Sequence, residues 1–223
     1  MVKKMEQRKT KRYYPIFWNL EGKRCLIVGG GAVAQRKAKD LLTAGATVVL
    51  ISRRLTEELV SMANSGEIAY GGKEYSCEHL RDVCMVIGAT NDTELNKRIA
   101  VDAAQRRIPF NIVDVPELCD FIVPATVHRG ELTIAISTAG ASPALAKKIR
   151  QELEAIYGEE YGQLLEMMRE LRKKVIAAGK SEAENKKLFT ALLASPLLEA
   201  IRNNEHDRAE EIVAKILEES GTR

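Results

Sequence analysis

Four short stretches of this chain have residue types and spacings that can do chemistry. Gly29-Gly30-Gly31-Ala32-Val33-Ala34 fits G-x-G-x-x-A and stands between an apolar run and a helical pattern. The first glycine of such a run, Gly29, permits a tight turn out of a strand. The second, Gly31, lets backbone approach a pyrophosphate, and the small Ala34 lets helix and strand pack closely. The N–H groups of a helix that begins at Ala32 and Val33 would then face the phosphates with the positive end of the helix dipole. A glycine-rich turn without a ligand is the alternative, and no Gly-Lys-Ser/Thr follows to make it a P-loop. Ser52-Arg53-Arg54 follows the next apolar run. NAD sites commonly place a carboxylate there for the ribose hydroxyls, whereas an arginine accommodates the 2′-phosphate of NADP. Two solvated arginines opening a helix would read the same way. Asn111-Ile112-Val113-Asp114 puts an acid at the end of a further strand, where ligand crevices of open α/β sheets lie. Asp114 there could act as a base or as the partner of a cationic intermediate, and a turn cap before Pro116 is its bland alternative. Gly88–Asp92 (GATND), with Thr90 and Asn91, ends another strand of the same layer and should line the same crevice.

The elements that must position these residues alternate. Arg24–Val28 and Thr47–Ile51 read as buried strands, and Ala32–Ala44 between them has helical spacing closed by Gly45. Leu55–Ala63 reads as a helix, Glu67–Tyr70 as a weak strand, and Val83–Gly88 as a stronger one. Asn91 or Asp92 caps a helix running to about Arg107, and Pro109–Val113 is the next strand. Short strands alternating with longer helices indicate a parallel sheet covered on both faces. After about Val115 the pattern changes. Phe121–Val123, Thr126–Val127 and Leu132–Ser137 look like antiparallel strands with a turn at Arg129-Gly130, and Ser142-Pro143 opens a helix reaching about Tyr157. From Glu159 onward everything reads as helix, broken near Gly179, at Ser195-Pro196 and around Asn203-Asn204.

The expected fold class is therefore α/β. A Rossmann-like parallel-sheet domain occupies 1–115, a small α+β dimerisation segment 116–157, and a helical domain 158–223. The middle segment is too small for a core of its own, so it is expected to pair with a second copy.

Composition narrows the function. The chain has 223 residues, 45% hydrophobic and 29% charged, which is ordinary for a globular protein. A net charge of +3 is too small to argue for nucleic acid, and no DNA- or RNA-binding signature is present. No apolar run has the length to cross a bilayer, and the basic start, Met1 to Pro15, lacks the apolar stretch of a signal peptide. A solvated tail and a cytoplasmic location are the expectation. Cys25, Cys77, Cys84 and Cys119 have no metal-ligand spacing, and His79, His128 and His206 are isolated, so no metal site is expected.

These motifs together resemble one family. VGGGAVAQRKAKDLL (Val28–Leu42) is similar to its VGGG-x-VA-x-RK-A opening, and YPIFWNLEGK (Tyr14–Lys23) to its lead-in. GATND with Leu95-Asn96, NIVDVPELCDFIVPA (Asn111–Ala125) and STAGASPALAKKIR (Ser137–Arg150) resemble three more of its motifs in the same order. The family is that of the precorrin-2 dehydrogenases, also found as the N-terminal part of sirohaem (siroheme) synthases. The resemblance covers about residues 13 to 175, and the last forty-odd residues match only in being helical.

The resemblance implies oxidation of precorrin-2 to sirohydrochlorin with NAD accepting the hydride, by an intertwined homodimer. It carries the key aspartate onto Asp114, and the cofactor contacts onto Ala32, Val33, Arg53 and Arg54. Arg53 and Arg54 depart from the family's commoner Ala-Pro-type continuation, which leaves NADP open as the coenzyme. Precorrin-2 bears eight carboxylates, so a pocket for it needs cations and small polar groups. Arg36, Lys37, Arg129, Ser137, Thr138 and Lys147 are the candidates, with Lys148 and Arg150 adding charge nearby. Some family members also insert ferrous iron, as substrate, into sirohydrochlorin, and a ferrochelatase activity at the same aspartate is the alternative. A more remote alternative is a nicotinamide-sensing module without turnover.

Overall fold

The computed structural model describes residues 12–179 and 181–220. Of the basic start, Met1 to Pro15, expected to be a solvated tail, residues 1–11 lie outside them. The chain divides between Val123 and Pro124 into two compact units.

The first unit carries five strands, β1 (Arg24–Val28), β2 (Thr47–Ile51), β3 (Ala69–Gly72), β4 (Met85–Gly88) and β5 (Phe110–Ile112). All pair in parallel, in the order β3-β2-β1-β4-β5. Three helices connect them: α1 (Ala32–Thr43), α2 (Glu57–Asn64) and α3 (Thr93–Gln105). Strands buried on both faces need apolar residues at every position. Along β1, Cys25 and Ile27 face one core with Ala34, Ala38 and Leu41 of α1 and Leu59 and Met62 of α2. Leu26 and Val28 face the opposite core with Ile99, Ala100 and Ala103 of α3.

Local chemistry sets the boundaries. α2 starts at Glu57, two residues later than its pattern suggests, because the Thr56 hydroxyl accepts the Leu59 N–H and caps the helix. Asp92 caps α3 by accepting from Leu95 N–H. Phe121–Val123, expected as a strand, forms none. The contact with β5 is made earlier, by a single bridge between Asn111 and Cys119, and the Phe121 carbonyl accepts from the Asn111 side chain at 2.9 Å instead of joining a ladder.

The second unit opens with an antiparallel hairpin, β6 (Ala125–Arg129) and β7 (Leu132–Ile136). α4 (Pro143–Ile156) packs on it, its first turn capped by Ser142, which accepts from Leu145 N–H. Four helices follow: α5 (Glu160–Ala177), α6 (Glu182–Ala194), α7 (Leu197–Arg202) and α8 (His206–Glu219). Their core gathers Leu164, Leu171, Val175, Leu188, Leu192 and Leu197. The interruptions fall at Gly179, at Ser195-Pro196 and at Asn203-Asn204, where the pattern places them.

Candidate functional site

In a parallel sheet every strand points its carboxyl end to the same edge. The strand order reverses at β1, between β2 and β4, and ligands of open α/β sheets bind outside that point. The loop after β1 is the glycine run. Gly29, at φ +133°, turns the chain out of the strand, and a Cβ there would run into the Ala89 carbonyl after β4. Gly31 is the N-cap of α1 in extended backbone, and no side chain caps the helix. A Cβ on Gly31 would meet nothing within 4 Å. Ala32, the first residue of α1, is exposed, and Val33 is half-buried. Ala34 is fully buried against the sheet. An approachable glycine and an uncapped helix start fit the pyrophosphate of a dinucleotide.

Ser52, Arg53 and Arg54 follow β2 on the same edge. The loop is held on the glycine run: Gly29 N–H donates to Ile51 O (2.9 Å) and Thr56 N–H to Gly30 O (3.0 Å). The Ser52 hydroxyl donates to Arg54 O at 2.7 Å, and Tyr70 Oη donates to Ser52 O at 2.8 Å. Arg53 reaches Glu74 at 3.2 Å with both side chains 77% exposed. Thr90 and Asn91 follow β4. The Thr90 hydroxyl and carbonyl are both bonded to Asn96, each at 2.9 Å, while Asn91 is exposed.

Asp114 lies just past β5, exposed, in a left-handed conformation with φ +62°. Aspartate and asparagine tolerate that region better than most residues. The turn is held from behind by Cys119, whose Sγ lies 3.3 Å from both the Ile112 and Val115 carbonyls, and by Val115 N–H bonded to Ile112 O. Asp114 is two strands from the glycine run, roughly 10 Å at ordinary strand spacing.

The structure therefore brings Gly29, Gly31, Ala32, Val33, Arg53, Arg54, Thr90, Asn91 and Asp114 to one edge of one sheet. Of the substrate candidates, Arg36 and Lys37 are on α1. The Lys37 side chain is only 13% exposed and pairs with Asp40 at 3.7 Å; burial pulls its ammonium below the usual lysine range, and Asp40 opposes the shift. Arg129, Ser137, Thr138 and Lys147 belong to the second unit. Ser137 and Thr138 shape the loop before α4: the Ser137 hydroxyl accepts from Ala139 N–H, and Thr138 exchanges bonds with Ser142. Lys147 is exposed on α4. Arg129 is committed elsewhere. It donates to the carbonyls of His128, Glu154 and Tyr157 and pairs with Glu159 at 3.3 Å, closing the end of α4.

Three contributors escaped the sequence pattern. A Cβ on Gly30, read as the free x of the motif, would run into the Arg54 carbonyl, so this glycine admits the β2 loop. Asn96, 6% exposed, staples the GATND loop. Cys119 shapes the Asp114 turn. All three lie inside motifs, Gly30 in VGGG, Asn96 beside GATND and Cys119 in NIVDVPELCDFIVPA, but the motifs give none of them a role.

Residues 16–125 match a family described as NAD(P)-binding, and residues 129–156 match the central region of sirohaem biosynthesis proteins. The siroheme synthase of Neisseria meningitidis serogroup C (strain 053442) is 36% identical over 208 residues, 93% of this chain and 43% of that protein. The siroheme synthase of Nitrosospira multiformis is 37% identical over 193 residues, 85% of this chain and 41% of that protein. The solved structure of SirC, a precorrin-2 dehydrogenase, superposes with a TM-score of 0.78 at 27% identity, covering 92% of this chain and all of that one. The chain belongs to the precorrin-2 dehydrogenase and siroheme synthase family. It spans less than half the length of the siroheme synthases it matches. The family's NAD(P)-binding match covers the glycine run, the β2 loop and Asp114, and its central match begins at Arg129.

Proposed function

We propose that this chain is a precorrin-2 dehydrogenase, oxidising precorrin-2 to sirohydrochlorin with NAD as hydride acceptor. The observation that carries the reading is the shared carboxyl edge. It presents an approachable glycine turn and an exposed carboxylate two strands apart, in a chain that aligns with a precorrin-2 dehydrogenase over that protein's whole length. When bound, the coenzyme supplies the hydride acceptor. The chain's own residues do the rest. Gly31, Ala32 and Val33 hold the pyrophosphate through backbone N–H groups, and Arg53, Arg54, Thr90 and Asn91 border the same edge. Asp114 takes the proton that leaves the tetrapyrrole as the hydride departs from carbon, so the substrate loses both hydrogens and two electrons. Arg36 and Lys37 are substrate-carboxylate candidates of the first unit, and Ser137, Thr138 and Lys147 are candidates of the second unit taken by itself. Arg129 joins them only if its bonds to α4 open.

A homodimer goes with this reading. β6 and β7 form a two-stranded sheet, which is marginal alone, and Leu132, Ile134 and Ile136 of β7 are only partly buried. The proposed location is the cytoplasm. Among the described residues no helix is long and apolar enough to cross a membrane.

The test is an anaerobic absorbance assay with enzymatically generated precorrin-2 and NAD. The expected result is the sirohydrochlorin spectrum with stoichiometric coenzyme reduction. Asp114→Asn keeps the left-handed turn and nucleotide binding, and lowers kcat by on the order of 10²–10⁴-fold. A folded protein that binds nucleotide yet gives no spectral change would overturn the assignment. Ferrous iron added after oxidation reads chelation in the same cuvette.

A further inference from the structure

We infer that the loop after β2 is a 2′-phosphate site, so that this chain binds NADP at least as tightly as NAD. The inference rests on the dinucleotide reading of the glycine run and concerns the ribose end of that site.

The end of β2 is where a dinucleotide's adenosine ribose meets the protein. A site selective for NAD places a carboxylate there, which accepts from the ribose hydroxyls and repels a phosphate. Ser52-Arg53-Arg54-Leu55 has no carboxylate, and two guanidiniums stand in its place. Both arginines are exposed, and no described residue forms an ion pair with Arg54. Their backbone is not a loose tail. Arg54 O fills the space beside Gly30 that any larger residue would need, and the Ser52 hydroxyl bridges the turn. Tyr70 on β3 holds the Ser52 carbonyl from the other side. The arginines are thus carried by a loop seated directly on the pyrophosphate turn. Less freedom is lost when such a loop closes on a ligand than when a mobile one does.

Among the described residues, the acid that forms an ion pair with this loop is Glu74, on Arg53. Fully solvated pairs hold weakly, so the Arg53 fork can turn from Glu74 to a phosphate dianion, a stronger bidentate acceptor. Glu58, at the start of α2, is engaged by Lys39 and Gln35.

The experiment is isothermal titration of the full chain with NAD and, separately, NADP. The variants are Arg53→Ala/Arg54→Ala and Glu74→Gln, with thermal melts to confirm folding. The expected Kd ratio, NADP over NAD, is one or below for the unmodified chain. It rises by roughly tenfold or more in the double variant, the loss of about one charge-assisted contact. It falls further in Glu74→Gln, which frees Arg53. A ratio well above one in the unmodified chain, or a ratio unmoved by the double variant, would overturn the inference while leaving the dinucleotide site standing. Binding of neither nucleotide to folded protein would overturn the dinucleotide reading itself, and this inference with it.

Discussion

Replacing Gly30 and Gly31 separately with alanine separates what the glycine run does for the fold from what it does for a ligand. At Gly31 an added Cβ meets nothing within 4 Å, and the backbone is in ordinary extended geometry. Alanine is a poorer N-cap than glycine by a few tenths to about 1 kcal/mol. It recovers about 0.4–1 kcal/mol from the unfolded chain's lost freedom. The net is within about 1 kcal/mol, no more than about 4 °C in Tm for a chain of this size. The methyl group does stand on the residue whose backbone the pyrophosphate is proposed to approach, next to the Ala32 N–H. Pushing a phosphate off one such bond costs about 1.5–3 kcal/mol, or about ten- to 150-fold in Kd. At Gly30 the Cβ would overlap the Arg54 carbonyl and stand 2.6 Å from Ser52 Oγ and 2.9 Å from Leu55 Cδ2. Overpacking of this kind costs about 1–3 kcal/mol. Displacing the loop also threatens the Thr56 N–H bond to Gly30 O, worth about 1 kcal/mol more. Gly30→Ala is expected to lower Tm by roughly 5–15 °C. Calorimetric melts and titrations with NAD read both effects. Unimpaired binding by Gly31→Ala would place the nucleotide elsewhere, and an unshifted melt for Gly30→Ala would refute the steric argument.

Two further outcomes concern residues assigned to substrate. Lys37 has its pKa lowered from 10.5, burial outweighing the pull of Asp40. Between the lowered folded value and 10.5 the unfolded chain holds more protons, so stability attributable to this group rises with pH and the fold is penalised at neutral pH. Lys37→Met should therefore raise Tm at neutral pH, with a gain that shrinks as pH climbs through that window; a pH series of melts decides it. Arg129→Met removes the bonds to Tyr157 O (2.9 Å) and Glu154 O (3.3 Å) at the end of α4. The expected loss is about 2–4 kcal/mol in urea unfolding. Arg129→Lys should recover little of it, because an ammonium cannot reproduce the guanidinium fork; full recovery would show that charge alone suffices.

Much of the fold was legible because the rules that produce it are local. Unbroken apolar runs at Arg24–Val28 and Thr47–Ile51 mark strands buried on both faces, and Ser142-Pro143 or Gly179 act on the few residues beside them. The order of glycine turn, GATND and Asp114 was likewise visible in the chain, since each follows a strand and parallel strands share an edge. Phe121–Val123 forms no strand although its apolar run carries strand propensity, because its fate depends on where Cys119 meets β5. Gly30 has no role in the motif itself, because its neighbour, Arg54 O, arrives from the loop after the adjacent strand β2. Arg129 has the sequence context of a free cation, although its Nε and Nη2 donors are taken by carbonyls more than twenty residues away. Sequence by itself determined the alternating strands and helices up to β5 and which side chains follow their carboxyl ends, because period and turn chemistry are properties of neighbouring residues. Only the tertiary structure decided which of those side chains remain available to a ligand, because their hydrogen-bond partners come from distant parts of the chain.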